Sequence, residues 1–463
     1  MALVPMTELE AVNMMLSAIG ETPVASLGAG DLTAYPEASV AYTMLQQVSR
    51  QVQAKGLDCN TQVNRGRTID GSGNIVLSAD VLFVESADPK YSFAMRSSKL
   101  YDMLNFTNVF TATQYINQIE YIAFTDLPEH VRDYVVCLAR KEFQSDILGS
   151  ESIHKQLLDE VAEKRINMFL AERGVRHIFN ISRAVQIKGL DCNTTIKKAY
   201  TPSGGTITLA SNVIYAESFY PCYRYSIKDG KLYDEENQTA TFTGTVYVNI
   251  VSFLDFKDLP AHVRNYVQVA AKQTYLKEAF QTVGQEGQQQ QLPDISDMVE
   301  QEYIKMHQQE TGIRLIYKIS QDIQTEGLDC NTFENHIAVP DDDGYIQIEP
   351  YWLTAEPADH RYAYVVRGTK LYDKDNSTYV FTQDVQLHVT TLIDFQELPA
   401  YVQGYVKALA RKLYLTEVFG KVDRATEEEV IKLKTAMHRQ ELNADRRTML
   451  DNAQTFQTIR RYW

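Results

Sequence analysis

The chain is poor in the residues and patterns on which most site chemistry depends. Its 463 residues hold two tryptophans and five cysteines. No two cysteines form a Cys-x-x-Cys pair, which removes the usual zinc and dithiol frameworks. Cys59, Cys192 and Cys330 share one repeated position, while Cys137 and Cys222 stand apart. Free thiols acting as small hydrophobes in a reducing compartment are expected. No run approaches 18 apolar residues, so no membrane-spanning helix is expected. The first twenty residues carry Glu8 and Glu10 and lack the basic start and apolar core of a secretion signal. Positive charge is also short. With 45 Lys and Arg against 60 Asp and Glu, the net charge is −15, which argues against a surface that neutralises nucleic-acid phosphates. There is no His-Glu-x-x-His and no nucleophile elbow. The loops at Gly71-Ser72-Gly73 and Ser203-Gly204-Gly205 lack the Lys-Ser/Thr and following helix of a phosphate cradle.

What the chain has in abundance is repetition. Gly-Leu-Asp-Cys-Asn-Thr occurs unchanged at 56–61, 189–194 and 327–332. Lys-Leu-Tyr-Asp recurs at Lys99–Asp102, Lys231–Asp234 and Lys370–Asp373. An Asp/Glu-Leu-Pro element follows, and Asp58 to Asp126, Asp191 to Asp258 and Asp329 to Glu397 span 68, 67 and 68 residues. Ordered landmarks at constant spacing mark a tandem architecture. A hydrophobic share of 44% with 23% charge is that of a globular protein long enough for several cores.

Local signals give each repeat the same order. Thr7 with Glu10 forms a capping box for a first helix that Gly20 and Pro23 stop. A second helix from Pro36 carries Met44, Leu45, Val48 and Val52 on one face, and Gly56 closes it as a left-handed C-terminal residue. That helix is copied at 174–188 and 312–326. Ser49, Ser182 and Ser320 hold one equivalent place in it, and Gln53, Gln186 and Gln324 another. Gly56, Asn60, Gly189, Asn193, Gly327 and Asn331 are the repeat positions at which helix gives way to strand. The period then alternates. Asp229-Gly230 predicts a two-residue hairpin, with Ser97-Ser98 and Gly368-Thr369 as its counterparts. Four to six short strands per copy predict a small antiparallel sandwich. The Leu-Pro element opens a return helix, and further helices are expected at 151–172, 293–309 and 426–445. The polar stretch 284–291 reads as a solvated loop. The fold class is therefore α+β: helical bundle units, each with a small antiparallel β-rich insert, repeated three times over 1–173, 174–311 and 312–463.

Candidate chemistry is thin. Glu85, Glu217 and Glu356, with Asp102, Asp234 and Asp373, could pair as the two carboxylates of a glycosidase. Threefold copying favours instead turn-forming aspartates and surface or ion-paired glutamates. His130 and His262 share a position that Tyr401 takes in the third copy, which argues against a catalytic or metal-binding histidine. No metal or cofactor site is expected. Beyond the last helix, Arg460, Arg461, Tyr462 and Trp463 are residues of the kind that anchor interfaces, a candidate docking tail set against a frayed end.

The opening of the chain resembles the tail tubular protein A family, the head-to-tail adaptors of short-tailed bacteriophages. Ala11, Asn13, Leu16, Ile19-Gly20-Glu21, Pro23-Val24 and Ser26-Leu27 follow the family's first pattern. Gly56, Asn60-Thr61 and Leu127-Pro128-Glu129 follow its later ones. Asp58-Cys59 stand where the family commonly places an aromatic, and a typical member resembles one copy only. The resemblance implies a non-enzymatic structural protein of the virion tail, assembled in the host cytoplasm. It further implies a ring of twelve copies joined to the portal and to the tail nozzle, with tail fibre proteins as further candidates. DNA would pass through the channel without specific binding. The alternative is a virion-borne glycan-binding or glycan-hydrolysing protein using the repeated glutamates.

Overall fold

The computed structural model describes residues 5–281 and 294–451. The polar stretch 284–291 and the candidate tail Arg460, Arg461, Tyr462 and Trp463 lie outside the described residues. The element order runs three times through one scheme. In the first pass, α1 (Glu8–Ala18), α2 (Ala29–Ala34) and α3 (Pro36–Gln53) precede β1 (Thr61–Arg67), β2 (Val81–Ser86), β3 (Phe93–Arg96), β4 (Lys99–Asp102) and β5 (Gln114–Glu120), and α4 (Glu129–Ile147) and α5 (Glu151–Ala171) follow. The second pass comprises α6 (Val175–Gln186), β6 (Thr194–Tyr200), β7 (Val213–Ser218), β8 (Tyr225–Lys228), β9 (Lys231–Asp234), β10 (Val246–Ser252), α7 (Ala261–Gln281) and α8 (Ser296–Gln309). The third comprises α9 (Ile313–Thr325), β11 (Thr332–Ala338), β12 (Trp352–Pro357), β13 (Tyr364–Arg367), β14 (Lys370–Asp373), β15 (Val385–Thr391), α10 (Ala400–Phe419) and α11 (Arg424–Asp451). The fold is α+β, helices with repeated small antiparallel sheets.

The chain packs as two compact units, residues 1–182 with 263–302, and residues 183–262 with 303–463. In the first, α1, α3 and α4 bury Met15, Leu16, Leu45, Val135 and Phe143 around Phe124, which stands in a 3-10 turn ahead of α4. In the second, α9, α10 and α11 bury Ile319, Val402, Val406 and Met437. Each β insert has its own small core, such as Ile75, Leu77, Leu100, Phe110 and Ile116.

The local signals hold in detail. The Thr7 N–H donates to Glu10 Oε2 (2.8 Å) and the Glu10 N–H to Thr7 Oγ1 (3.2 Å), closing the capping box. Gly56 takes φ 80° and its N–H returns to the Gln53 carbonyl. Asp229 and Gly230, at φ 50° and 72°, make the tight turn between β8 and β9. Five strands per copy fall within the expected number, but they form two separate sheets. The central β5, β10 or β15 pairs with two neighbours, and the Lys-Leu-Tyr-Asp strand forms a hairpin of its own. The short α2 carries no buried residue and had no sequence signal. α11 runs six residues beyond its expected end at 445.

The hexapeptide asparagine ties the helix end to the sheet in the first and third copies. Asn60 Oδ1 accepts the Leu57 N–H (2.8 Å), while its Nδ2 donates to the carbonyls of Gln53 (3.1 Å) and Glu120 (2.9 Å). Asn331 does the same with Leu328, Gln324 and Thr391. The buried glutamine beside it adds a second tie. Gln53 bonds both the N–H and the carbonyl of Ile122, and Gln324 does likewise with Ile393. Each such buried group costs about 1–3 kcal/mol if left unpaired, so the helix end is tied to the strand that leaves the sheet.

Candidate functional site

The repeated acidic residues gather where one copy meets the next. At the first junction α5 ends and Glu172, almost wholly buried, turns back. Its Oε1 lies 2.9 Å from His130 Nε2, and its Oε2 accepts the backbone N–H of Asp58. The Asp58 carboxylate then accepts the backbone N–H groups of Arg173, Gly174 (2.9 Å) and Val175 (3.0 Å), the open end of α6. A carboxylate there satisfies orphan donors and meets the positive end of the helix dipole. Lys272 on α7 serves the opposite pole. Its Nζ donates to the carbonyls of Phe169 (2.7 Å), Leu170 (2.8 Å) and Glu172 at the end of α5. Burial holds the Lys272 amine below its ordinary range, and Asp58 and Glu172 oppose that shift. Arg176, in the first turn of α6, pairs with Glu85 on β2 at 2.9 Å.

The second junction repeats the arrangement. Glu310 Oε1 lies 2.8 Å from His262 Nε2 and its Oε2 accepts the Asp191 N–H (2.7 Å). Asp191 accepts from the N–H groups of Thr311 and Ile313 (3.0 Å), opening α9. Arg411 takes the place of Lys272 and donates to the carbonyls of His307, Gln308 and Glu310. Arg314 pairs with Glu217 at 3.1 Å. Gly174 and Gly312 adopt φ 78° and 74°, and a Cβ on Gly174 would lie 3.0 Å from the Tyr275 side chain.

The third copy keeps only half of this device. Glu441 still bonds the Asp329 N–H (2.8 Å), and the Tyr401 hydroxyl donates to it at 2.6 Å. The swap of histidine for tyrosine is thus explained: the position supplies a proton to a repeated glutamate. α11 does not break after Glu441, and among the described residues no helix end meets Asp329. Asp329 and Glu356 are both exposed, and neither side chain has a hydrogen bond or ion pair among the described residues.

The other repeated candidates are structural. Asp102 Oδ1 accepts the N–H groups of Leu104 (2.8 Å) and Asn105 (3.1 Å), and its Oδ2 the Asn105 amide (2.8 Å). Asp234 and Asp373 repeat that loop geometry. Burial opposes charge on Asp102, but these donors outweigh it and hold the carboxyl below its ordinary value. Cys59, Cys192 and Cys330 are free; crowding around the sulfur, followed by the neighbouring Glu172, Glu310 or Glu441, pushes each thiol up to about 11. Such thiols are poor nucleophiles. Sequence reasoning missed Glu172, Glu310, Lys272 and Arg411. Their signal was available in aligned repeats, as charge retained where local structure does not require it.

One loop breaks the repeat. After Asp102 the first copy has Met103, Leu104, Asn105 and Phe106, where the others have Glu235-Glu236-Asn237-Gln238 and Lys374-Asp375-Asn376-Ser377. Phe106 is 78% exposed, and Val76, Leu104 and Val109 are also exposed. Phe106 holds φ 54°, a conformation costly for a bulky side chain.

The sequence model of the tail tubular protein family matches three successive segments, residues 9–178, 171–312 and 293–449. The chain belongs to the tail tubular protein family. It is similar to tail tubular protein A of Klebsiella phage KP34, with 28% identity over 178 residues, 38% of this chain and 92% of that protein. Membership makes this tail tubular protein a structural component of a phage tail, a family of structural proteins and not of enzymes. No described helix is long and apolar enough to cross a membrane.

Proposed function

We propose that this tail tubular protein is the head-to-tail adaptor of a short-tailed phage, built from three adaptor-like copies at 1–173, 174–311 and 312–463. Twelve chains form a ring between portal and nozzle, and DNA passes through its channel unbound. The observation that carries this reading is the threefold family match laid over two internal junctions of the same chemistry. Rings need faces that are unlike and complementary. A chain that reuses one such face internally twice is a chain built from a ring-forming element.

The count of twelve chains rests on the chain's first copy. Four chains could imitate a twelve-membered ring only if Asp329 received the first copy's helix end. That copy offers no counterpart to Gly174 or Gly312: α3 opens with Pro36, which has no N–H, and then Glu37. Its first helix opens with Glu8 and Glu10. Both would meet Asp329 with like charge. Native mass measurement separates the readings: twelve times 52.8 kDa is about 634 kDa and four times is about 211 kDa. A stable monomer that leaves heads and tails joined in its absence would sink the adaptor reading.

The exposed loop of the first copy is the surface we assign to a neighbouring tail component. Large exposed apolar side chains mark an interaction site when they cluster, and in this loop only the first copy carries them, on a backbone that Gln238 and Ser377 share. Replacing Phe106 and Leu104 with serine should leave the ring intact and prevent attachment of that component in assembled particles.

A further inference from the structure

We propose that a tyrosine-walled groove on the second copy's β insert docks a proline-rich segment of a partner protein in the polyproline II conformation. The groove encloses about 430 Å³ and is lined by Tyr220, Tyr223, Tyr225 and Tyr247, together with Pro350 and Tyr351 ahead of β12. The Cys222 Sγ donates to the Pro350 carbonyl at 3.7 Å and joins the two stretches. The Tyr223 and Tyr225 rings stack at 5.8 Å and 9°. Tyr225 meets Phe242 edge-on, and Tyr220 meets Tyr247 edge-on at 6.0 Å.

Part of this wall is common to all copies and part is not. Tyr91 with Phe93, and Tyr362 with Tyr364, stack in the same way at the equivalent positions. Tyr220, however, stands where the other copies have Asp88 and Asp359. Those aspartates accept the backbone N–H groups of Lys90 and Arg361, two residues on. The second copy keeps the turn, through the Tyr223 N–H and the Tyr220 carbonyl (3.2 Å), but lacks the carboxylate that supports it. Tyr351 likewise stands where the first two copies have Asp80 and Asn212. Two short polar positions thus hold tyrosines that line one groove, where the local turn calls for no aromatic.

The chemistry of the groove selects its occupant. Asp234 is the one charged residue in the lining, and its own loop engages both carboxylate oxygens. Lys197, which lies over the Phe219 and Tyr247 rings, is bound to Asp394 (2.7 Å). A phosphate or a charged peptide therefore finds no free counter-charge. What the groove offers is hydroxyl. None of its five tyrosine hydroxyls has a hydrogen bond among the described residues. Burial raises those of Tyr220, Tyr223 and Tyr225, which keeps them protonated donors. A polyproline II segment presents the complement, with prolyl rings for the aromatic faces and backbone carbonyls that have no internal partner. Its preformed backbone loses little entropy on docking, which suits an open groove. A glycan, the competing occupant, needs acceptors as well as donors, and the only carboxylate here is already engaged. The proposal does not depend on the ring or adaptor reading.

The probe is fluorescein-labelled octaproline, about 25 Å long at 3.1 Å per residue, titrated with the intact protein and followed by anisotropy. Saturable binding with a dissociation constant below about 1 mM is expected. Tyr220→Asp and Tyr351→Asn bring in residues that other copies hold at those positions, so the insert keeps its fold. Each should weaken binding at least about tenfold, as loss of an aromatic anchor does. Tyr91→Ala, in the first copy's stacked pair, should leave it unchanged. Absence of saturable binding overturns the proposal, as does binding that neither groove variant weakens. Maltohexaose that binds in place of octaproline, and is lost in both variants, makes the groove a glycan site and overturns the proposal as stated.

Discussion

One buried hydroxyl is satisfied at the second junction and not at the first. Tyr275 and Tyr414 occupy the same place against Gly174 and Gly312. Tyr414 Oη lies 2.6 Å from His307 Nδ1, whereas Tyr275 Oη is buried with no partner among the described residues. The cause is one substitution between copies, Phe169 where the later copy has His307. A buried polar group left unpaired costs about 1–3 kcal/mol. Tyr275→Phe should therefore raise stability in urea by about 1 kcal/mol, and Tyr414→Phe should lower it by a similar amount. The junction aspartates give a sharper contrast. Asp58→Ala or Asp191→Ala removes charge-assisted bonds to several N–H groups at a helix end and should cost about 2–3 kcal/mol. Asp329→Ala, at an exposed side chain with no hydrogen bond among the described residues, should fall within the ~0.5 kcal/mol typical of exposed positions. Equal losses at all three sites would show that the aspartates act within their own copies and not between them. Phe106→Asn tests the loop position that all three copies hold at positive φ but only the first fills with an aromatic ring. Asparagine tolerates the left-handed region, so it should stabilise the chain by about 1 kcal/mol while removing the exposed ring.

At the scale of elements, the packing of α8 against α10 carries a pH dependence. His307 lies within the second junction, 5% exposed and bonded to Tyr414. Burial first, and then Lys188 and Arg411, hold its imidazole down to about 4. The unfolded side chain titrates near 6.5. Above that value neither state is protonated and the contribution is complete. As pH falls from about 6.5 towards 4, the unfolded chain takes up a proton that the folded chain refuses, and stability drops by on the order of 3 kcal/mol. His307→Phe, which copies Phe169, should flatten that slope in denaturation midpoints measured across this range. An unchanged slope would place the acid sensitivity elsewhere. What the sequence revealed follows the same division between local and distant. The capping box at Thr7, the glycine after α3 and the Asp229-Gly230 hairpin were legible because each is settled within a few residues. Asp58 and Gly174 lie 116 residues apart, and no periodicity links an aspartate after one helix to the start of another. The hexapeptide aspartate therefore read as part of a hinge, when its side chain serves the following copy. The two-sheet split of each insert was hidden for a related reason, since alternation places strands without naming their partners. α2 buries nothing and so left no pattern to read.

At the scale of the whole molecule, charge sets how the proposed ring would treat its cargo. Each chain carries −15, so twelve chains carry −180. A channel in such a field repels phosphate at short range, and DNA advancing through it meets no adhesive wall. The distinction from a DNA-binding protein is measurable. A binder that neutralises several phosphates releases counterions, so its affinity falls steeply as salt rises, and non-specific dissociation constants lie at about 10⁻⁴–10⁻⁶ M in physiological salt. The assembled protein should show no complex tighter than about 10⁻⁴ M with a duplex offered from outside, even at about 50 mM salt where binding is strongest. Fluorescence anisotropy of a labelled duplex, titrated at several salt concentrations, provides the measurement. Saturable micromolar binding that weakens with a log–log slope near −5 would mean about five to six neutralised phosphates. A channel lined with lysine and arginine would then retain DNA, and passage without binding would be the wrong description of this protein.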